Sequence, residues 1–578
     1  MKKISRVAFM LMAATMALST VGCNVGGGGG GSSDKTVVYV NARDCGYGTD
    51  WIKDAEAEFE RRYEGKEYEA GKMGVDLEIE YTKSQNLSSM NSSGDVIYIG
   101  TQGYAARDLA ANNWLLDLTE VVNEKYDTRN GQPISIKEKI DPIYLNVLSN
   151  KKDKVYALPG QASGYGLSYD KTLFDRMNFY IADPVSNGTN TADNIKEYSA
   201  FGTTVGFIKN SKAKKSCGAD GVYGTYDDGL PTALTELIVL SAYINSTGTV
   251  VPYTMTGAQP EYANYFMRAL SESLAGPEEV RALYDFQGEI EYVEEFLNEP
   301  LMSGINYVKK PKTNKVTLTA ENAGEQYKLT RTAARYYANA FMDIIYNQHW
   351  MSGDSTMSTV SHIDAQGRFL CSGENGIPTT AMLIEGAYWY TEAVQNDKME
   401  EYTRLTGNAE RDVRWMPLPV TYDKPILKPE DKQMRAMVNS ANTDFIVINA
   451  REKNEGVLNA AKDFIKMVYS DEWLSYYSGS TGSLRAAMNY EISEEDNAKL
   501  SIFHNSVLEA SHDQNTAWIY ESTENEGYLN NMKAFREMFS WPKVPNPYSG
   551  GVFVALQDGH HAQAIFESNC WTADAWKF

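Results

Sequence analysis

Two loops near the start of the chain carry polar and aromatic side chains of the types that hold small polar solutes. They contain Arg43, Asp44 and Tyr47 in the first loop, and Thr101, Gln102 and Tyr104 in the second. The polar side chains can exchange hydrogen bonds with hydroxyl groups, and a tyrosine ring offers a flat apolar face. This combination is suited to a solute that has both hydroxyl groups and apolar C–H surface, as a sugar does.

Hydrophobic spacing predicts the elements that position these loops. Residues 36–41, 75–81 and 95–99 are short apolar runs that predict strands, and apolar residues at helical spacing between 51 and 59 predict a helix. Strand and helix in this order indicate an α/β fold with a mainly parallel sheet. Because ligands of open α/β sheets bind beyond the carboxyl ends of the strands, we expect both loops to face a ligand.

The same alternation returns late in the chain. Residues 445–448 predict a strand, and the apolar residues of 457–468 fall on one face of a predicted helix. Between the two regions, residues 234–243, 262–273 and 330–346 predict longer helices. No repeat occurs at a fixed period, so a solenoid is not expected.

The first 22 residues have the composition of a secretion signal. Three basic residues precede an apolar run that ends near residue 18, and small residues lead to Cys23. The apolar run is shorter than the roughly 20 residues that a bilayer-spanning helix needs. Residues 20–23 are similar to a lipoprotein processing site, except that Thr20 stands where Leu is usual. We expect a signal peptide at 1–22 and lipidation of Cys23; the alternative is an ordinary cleaved signal with an incidental cysteine.

Residues 23–33 are expected to form the lipidated cysteine and a flexible tether, because six consecutive glycines at 26–31 supply no core-forming side chains. The formal net charge of −22 argues against nucleic acid as a partner, since binding to phosphates requires clusters of Lys and Arg. The remaining cysteines are widely spaced: Cys45, Cys217, Cys371 and Cys570. An exported chain permits disulfides, but the spacing does not pair them.

Five segments together resemble the family 1 extracellular solute-binding proteins, the maltose-binding-protein-like receptors of bacterial importers. The segments read DVIYIGTQGYAARDLAANNWLLDLT (95–119), KVYALPGQASGYGLSYDKTLF (154–174), TAMLIEGAYWY (380–390), VRWMPLPV (413–420) and KNEGVLNAAKDFIKMVYSDEWLSYYSGSTGSLRA (453–486). Their order and spacing over most of the mature chain carry the resemblance.

The resemblance implies an α/β protein with a two-lobed, type II periplasmic-binding-protein-like fold and a hinge between the lobes. We expect lobe one at 34–160 plus 420–487, and lobe two at 161–419 plus 488–578. The chain would then cross between the lobes near 158–164, 416–420 and 486–489.

The resemblance also implies site residues. Gln102 falls where the maltose-binding protein has a sugar-binding acid, and Tyr388 falls where it has a stacking tryptophan. Trp389 keeps this patch aromatic. Further candidates are Tyr165, Ser483, Arg485 and Tyr548. Core packing is the alternative for each aromatic residue, a solvated surface charge for each charged residue, and loop capping for Gln102 and Ser483.

The implied function is capture of a sugar or oligosaccharide by closure of the two lobes. The protein would act as a monomer without a cofactor at the extracytoplasmic face of the cell membrane, held by its lipid anchor, and would deliver the solute to an ABC permease. The sequence contains no H-E-x-x-H, G-x-S-x-G or G-x-x-x-x-G-K-[ST] motif, so we do not expect an enzyme. A surface glycoside hydrolase, and a carbohydrate sensor or adhesin, are the alternatives.

An acidic loop at 219–229 contains Asp220, Asp227 and Asp228 among glycines, and these are residue types that suit Ca²⁺. The spacing does not fit an EF-hand, because Pro231 would occupy the position of the bidentate Glu. We therefore expect a polar loop without a metal ion.

Overall fold

The computed structural model describes residues 34–142, 144–146, 154–162, 164–184, 190–259, 261–353, 355–356, 359–438, 444–519, 525–530 and 552–576. The predicted signal peptide, Cys23, the tether and Tyr548 lie outside the described residues. The side chains of Gln102 and Tyr104 also lie outside the described part, although their backbone lies within it.

The strands are, in chain order, β1 (Thr36–Arg43), β2 (Glu67–Glu69), β3 (Lys72–Met73), β4 (Val75–Thr82), β5 (Ile97–Gln102), β6 (Asp127–Arg129), β7 (Gln132–Ile134), β8 (Leu158–Pro159), β9 (Tyr165–Asp170), β10 (Ile195–Ala200), β11 (Thr203–Ile208), β12 (Val251–Thr254), β13 (Gly288–Pro300), β14 (Lys309–Leu318), β15 (Thr380–Gly386), β16 (Val413–Met416), β17 (Arg435–Val438), β18 (Asp444–Ile448) and β19 (Thr516–Ile519).

The α-helices are α1 (Asp50–Arg62), α2 (Gly103–Ala111), α3 (Thr119–Asn123), α4 (Ile136–Lys139), α5 (Lys171–Met177), α6 (Leu234–Ser246), α7 (Glu261–Asp285), α8 (Ala333–Asn347), α9 (His362–Leu370), α10 (Trp389–Gln395), α11 (Lys398–Thr406), α12 (Glu455–Val468), α13 (Asp471–Thr481), α14 (Glu494–Asn497), α15 (Ile502–His512), α16 (Glu526–Asn530), α17 (Val552–Gln557) and α18 (Ala562–Ser568). Shorter 3₁₀ turns lie at Leu87–Ser92, Tyr144–Asn146, Ala323–Arg331 and Pro429–Asp431.

The first lobe is built around a sheet with the strand order β4-β1-β5-β18-β8. Strand β1 pairs in parallel with β4 and with β5, whereas β18 runs antiparallel to β5 and β8 antiparallel to β18. The three strands predicted at 36–99 therefore pair in parallel as expected, but β18 and β8 make the whole sheet mixed. The reason is that β18 comes from the distant part of the chain and enters the sheet from the opposite end.

Helices α1 and α12 cover this sheet with the apolar faces that the sequence predicts. Phe59 of α1 packs edge to face against Phe464 of α12, with ring centroids 5.3 Å apart. Both side chains are fully buried. Asn454 caps α12 by accepting a hydrogen bond from the Gly456 backbone N–H at 2.9 Å. The core of this lobe combines residues between 38 and 158 with residues between 445 and 487.

The second lobe has its own sheet, with the strand order β12-β15-β9-β16. Strand β9 lies between β15 and β16 and is antiparallel to both, and β12 pairs in parallel with β15. A second apolar core forms around this sheet and helices α6, α7 and α8, and it also takes in residues between 552 and 566. Two separate cores, each with its own sheet, make the molecule two-lobed.

One predicted helix, at 262–273, extends further than predicted, and another is divided. Helix α7 continues to Asp285 through a break at Gly276, whose φ of 76° lies in the left-handed region, with Pro277 following it. The predicted helix at 330–346 is divided into a 3₁₀ turn and α8, because Thr332 takes an extended conformation between them. No helix among the described residues is long and apolar enough to cross a membrane.

The segment after Val420 packs on the second lobe, although we expected Val420 to begin the return to lobe one. Its backbone N–H donates to the Thr232 carbonyl at 2.9 Å, and its side chain joins Ile426 in a small buried cluster with Cys217. Strand β17 pairs with β19 and packs on α7. In the other direction, Tyr490 still contacts lobe one, where its hydroxyl lies 2.7 Å from that of Ser478.

Candidate ligand-binding cleft

Strand register brings the first group of candidate residues to one edge of the first lobe. Strand β1 ends at Arg43, and β5 ends at Gln102. Asp444, the first residue of the antiparallel β18, pairs with Gln102. The carboxyl ends of two parallel strands and the amino end of β18 therefore meet at the same edge, as expected for the ligand side of an α/β sheet.

A second group lies on the facing edge of the second lobe. Tyr165 begins β9 and pairs with Gly386 at the end of β15, so that Tyr388 follows directly beside it. The Tyr165 and Tyr388 hydroxyl oxygens lie 2.5 Å apart and share a hydrogen bond. Burial raises the pKa of both phenols far above the usual range, so both stay protonated.

A cavity of about 550 Å³ separates these two edges. Its first-lobe lining consists of Arg43, Asp44, Cys45, Gly46, Tyr47, Lys83 and Asp444. Its second-lobe lining consists of Tyr165, Glu261, Tyr262, Tyr265, His362, Ile363, Tyr388, Glu392, Gln395 and Asn396. The volume falls within the roughly 300–1,000 Å³ that is usual for small-molecule sites.

Tyrosine rings contribute to both walls of the cavity, and among the described residues five tyrosines line it. Tyr47 is the first-lobe member, and its ring lies edge to face against Tyr388 with a centroid distance of 6.0 Å. Tyr165 is 4.7 Å from Tyr265 and 6.0 Å from Tyr262. Glycine at position 46 makes the close approach of the lobes possible, because a Cβ there would lie 2.8 Å from the Tyr388 ring.

Charged groups on the first-lobe side are balanced in pairs. The Lys83 ammonium lies 2.7 Å from the Asp44 carboxylate. Asp444 is buried and accepts a hydrogen bond from the Gln161 backbone N–H at 3.2 Å. Burial raises the pKa of Asp444, and this hydrogen bond together with the nearby charges of Arg43 and Arg485 partly opposes the rise.

A chain of polar groups stands behind the tyrosines on the second-lobe side. The Gln366 side-chain amide donates to Glu392 at 2.7 Å and to the buried Glu385 at 3.0 Å. His362 Nε2 lies 3.3 Å from Glu392, and its ring stacks on Tyr262 with centroids 5.7 Å apart. Burial and the neighbouring Glu392 raise the pKa of Glu385 well above its usual range.

The structure places five of the predicted site residues on this cavity: Arg43, Asp44, Tyr47, Tyr165 and Tyr388. Strand β5 brings the backbone of Gln102 to the same edge, and Tyr104 lies in the first turn of α2.

Four other candidates lie away from the cavity lining. Trp389 has no exposed surface, and its indole N–H donates to the Ser168 hydroxyl at 2.9 Å. The buried Thr101 hydroxyl donates to the Gln85 side chain at 3.2 Å. The half-buried Ser483 hydroxyl donates to the Ala162 carbonyl at 2.8 Å. These contacts are structural.

Arg485 is the fourth of these candidates and is buried inside the first lobe. The carbon of its guanidinium lies 3.7 Å from the ring centroid of Tyr477 and 4.6 Å from that of Trp51. Its charge acts on the site indirectly, through Asp444.

Sequence reasoning missed the residues that helices α7, α9 and α10 contribute. Tyr262 and Tyr265 are three residues apart in the first turn of α7, and His362 begins α9. Spacing of three residues does place the two tyrosines on one helical face, which is a detectable signal. Nothing in the sequence indicates that this face turns toward the other lobe.

The acidic loop at 219–229 uses its carboxylates internally. Asp227 accepts hydrogen bonds from the backbone N–H of Ala219 at 2.8 Å, and Asp220 accepts one from Val222 at 2.7 Å. Arg435 approaches Asp227 at 3.5 Å. Asp228 accepts from the Gly224 N–H at 2.7 Å. Among the described residues, no group of three or more His, Cys, Asp and Glu side chains is arranged to hold a metal ion.

The four cysteines within the described ranges carry free thiols. Cys45 lines the cavity, and burial together with the negative charge of Asp444 raises its pKa. The protonated thiol is a poor nucleophile, so Cys45 is not activated for covalent chemistry.

Solved structures share this architecture. Maltose-bound T. maritima MalE3 is 12% identical in sequence, and the match covers 93% of this chain and 98% of that one with a TM-score of 0.51. A structure from work on xylan utilization by the thermophilic bacterium Caldanaerobius polysaccharolyticus is 11% identical, covers 92% and 99% of the two chains, and has a TM-score of 0.52. No protein-family model matches the chain, and no curated protein matches it in sequence.

The fold is thereby defined as the two-lobed α/β architecture of periplasmic-binding-protein-type solute receptors. The cavity of this chain lies between the two lobes, at the edges where its sheets end.

Proposed function

We propose that the protein captures a sugar or oligosaccharide in the cavity between its lobes and releases it unchanged to a membrane importer. The observation that carries this proposal is the lining of the cavity, in which tyrosine rings from both lobes stand among carboxylates, amides and one guanidinium. Aromatic faces bury the C–H surface of a sugar ring, and the polar groups bind its hydroxyls.

The comparisons support the proposal through fold. One similar structure holds maltose, and the other comes from work on xylan utilization. At 11–12% identity these likenesses concern the architecture. The lining of this chain's own cavity is therefore what supports a sugar as its ligand.

Capture would proceed by rotation of the lobes about the chain crossings. Ligand binding shifts the population toward the closed form, because only that form contacts the solute from both sides. Contacts already bridge the lobes: the Thr391 hydroxyl donates to the Thr481 carbonyl at 3.0 Å, beside the ring contact of Tyr47 with Tyr388. We propose a first crossing near 158–164 and a third between Tyr490 and Ser501; Val438 lies on the second lobe and Asp444 on the first.

The proposal includes a location and partners. The protein would stand at the extracytoplasmic face of the cell membrane, anchored by lipid on Cys23, and would work as a monomer with an ABC permease. Mass spectrometry of the membrane-extracted protein tests the anchor: we expect a mature N-terminus at Cys23 that carries acyl chains. An intact or differently cleaved N-terminus without lipid would contradict it.

Ligand capture is tested by measuring the melting temperature of the protein in the presence of mono- and oligosaccharides. Calorimetry then gives the Kd of each sugar that raises it. A solute that binds only the native state raises its stability, by about 2.7 kcal/mol at one hundred times the Kd. Tyr388→Ala should weaken binding by about 1–3 kcal/mol through loss of a stacking face. Tyr39→Ala is the matched control, because Tyr39 is 45% exposed on the first lobe and does not line the cavity.

Three results separate the proposal from its alternatives. Unchanged affinity in Tyr388→Ala with a lower melting temperature would assign this ring to the core. New reducing ends after incubation with oligosaccharides would favour a glycoside hydrolase. Binding without transport in cells that carry the cognate permease would favour a sensor or adhesin.

A further inference from the structure

The two walls of the cavity differ in charge. On the first-lobe wall each cation has an acidic neighbour: Lys83 lies 2.7 Å from Asp44, and the charge of Arg43 acts on Asp444. The second-lobe wall carries Glu261 and Glu392, and none of its described lining residues is Lys or Arg. The cavity as a whole thus has four carboxyl groups against two permanent cations, and the excess lies on the second lobe.

Among the described residues, the partners shown for Glu392 are neutral or titratable. Glu392 accepts from the neutral Gln366 amide at 2.7 Å and lies 3.3 Å from His362 Nε2. Burial and the neighbouring Glu392 raise the pKa of Glu385, which lies behind it. Glu261 is exposed at the mouth of the cavity. A desolvated carboxylate attracts a cationic partner, because burial without one is costly.

Tyrosine rings line the same wall of the cavity as these carboxylates. The Tyr165 ring lies edge to face against Tyr262 and against Tyr388, with centroid distances of 6.0 Å and 5.9 Å. The face of a tyrosine ring attracts a cation electrostatically, by about 0.5–1 kcal/mol at exposed sites and about 2 kcal/mol when desolvated. Carboxylates set among ring faces form the combination that recognises an organic ammonium group.

We infer that the solute is an amino sugar with a free, protonated amine, whose ammonium group lies against Glu392 and the tyrosine faces of the second lobe while its hydroxyls contact the first lobe. This inference rests on the proposed function, since it assumes that a sugar occupies the cavity. It goes further in naming the class of sugar and the residue that selects it.

The test compares disaccharides of one backbone that differ at a single substituent: β-1,4-linked glucosamine, its N-acetyl form and cellobiose, which has hydroxyls at those positions. Binding is measured by calorimetry at pH 6, where the free amine is protonated, in 150 mM salt. Putrescine serves as an amine that is not a sugar. We expect the glucosamine disaccharide to bind at least tenfold more tightly than either neutral disaccharide, and putrescine to bind weakly.

Glu392→Gln should remove most of this preference, measured as the ratio of the Kd values of the neutral disaccharides to that of the glucosamine disaccharide. Glu400→Gln is the matched control, because Glu400 is an exposed carboxylate on the second lobe outside the cavity. It should leave the preference unchanged, which excludes a general attraction of amines to an acidic protein.

The outcomes test the preference for an amino sugar separately from sugar capture itself. Equal or tighter binding of a neutral disaccharide would overturn the amino-sugar inference and leave sugar capture standing. A preference for the amine that survives in Glu392→Gln would overturn the role of Glu392. Binding of no sugar at all, or of putrescine as tightly as the glucosamine disaccharide, would overturn the proposed function itself.

Discussion

The carboxylates of two acidic regions of this molecule have different partners. In the loop at 219–229, backbone N–H groups and the buried Arg435 bind Asp220 and Asp227, so this loop folds on itself. In the cavity, Glu392 and Glu261 line the volume between the two lobes, and the side chains that contact Glu392 are the neutral Gln366 and the titratable His362. A carboxylate that the protein itself pairs stabilises the fold, whereas one that faces a cavity is available to a solute.

The largest effect on stability is expected from removing Arg435, the cation that lies beside the buried acids of the loop. Arg435 is buried, its guanidinium donates to the Tyr226 hydroxyl at 2.8 Å, and it lies 3.5 Å from Asp227 and 3.8 Å from Asp513. Arg435→Met leaves these acids buried without a cation, and we expect a loss of about 3–5 kcal/mol in the free energy of unfolding. Urea denaturation measures it.

Lys432→Met is the matched control for Arg435, since Lys432 is an exposed cation on the same segment. Glu392→Gln, in the cavity, should change stability by less than about 1 kcal/mol. If Arg435→Met and Glu392→Gln lowered the free energy of unfolding equally, the acidic loop and the cavity would not differ in how their carboxylates contribute to stability.

The next effect concerns pH and the same loop. Burial and the charges of Asp227 and Asp513 raise the pKa of Asp220 to about 6. Between about pH 4 and 6 the folded state therefore holds a proton that the unfolded state releases. Stability falls as pH rises through this window, by up to about 3 kcal/mol in total, and Asp220→Asn should remove this fall.

Measuring the free energy of unfolding at several pH values, in the wild type and in Asp220→Asn, isolates this contribution from those of other carboxyl groups. Repeating it with 1 mM CaCl₂ and with EDTA tests the loop as a cation site. A melting temperature that rises with Ca²⁺ in the wild type but not in Asp220→Asn would show that the loop binds Ca²⁺.

The sequence identifies the parts of the site that follow strands. Arg43, Asp44 and Tyr47 come directly after β1, and strand ends meet at one edge whatever the details of packing. The family resemblance implies both Tyr388 and its neighbour Trp389, but only Tyr388 lines the cavity. One residue further turns a helix by about 100°, which directs the Trp389 ring into the core.

The remainder of the site depends on contacts between distant segments. Tyr262, His362 and Glu392 are separated by up to 130 residues, and they meet because α7, α9 and α10 pack beside one sheet. The antiparallel entry of β18, which brings Asp444 to the cavity, also depends on where the chain returns from the second lobe. The spacing of residues within one segment predicts neither the meeting of these helices nor the direction of β18.

A smaller effect separates the ring of Tyr388 from its hydroxyl. Tyr388→Phe keeps the aromatic face and removes the hydrogen bond to Tyr165, leaving one buried hydroxyl without this partner. We expect a loss of about 1 kcal/mol in stability and a change in ligand Kd of less than fivefold. If Tyr388→Phe lost as much affinity as Tyr388→Ala, the hydroxyl rather than the ring face would recognise the solute.

The smallest effect on stability is expected from removing Lys83, an exposed charge at the edge of the cavity. Lys83 is 83% exposed and lies 2.7 Å from Asp44, so Lys83→Ala should change the free energy of unfolding by less than about 0.5 kcal/mol. The same change frees Asp44 at the cavity mouth and should tighten binding of a cationic solute slightly. Because exposed charges are screened, this gain should be largest at 10 mM salt and vanish near 0.5 M. A loss of affinity at every salt concentration would instead make Lys83 a ligand contact, and would place the selective charge on the first lobe rather than the second.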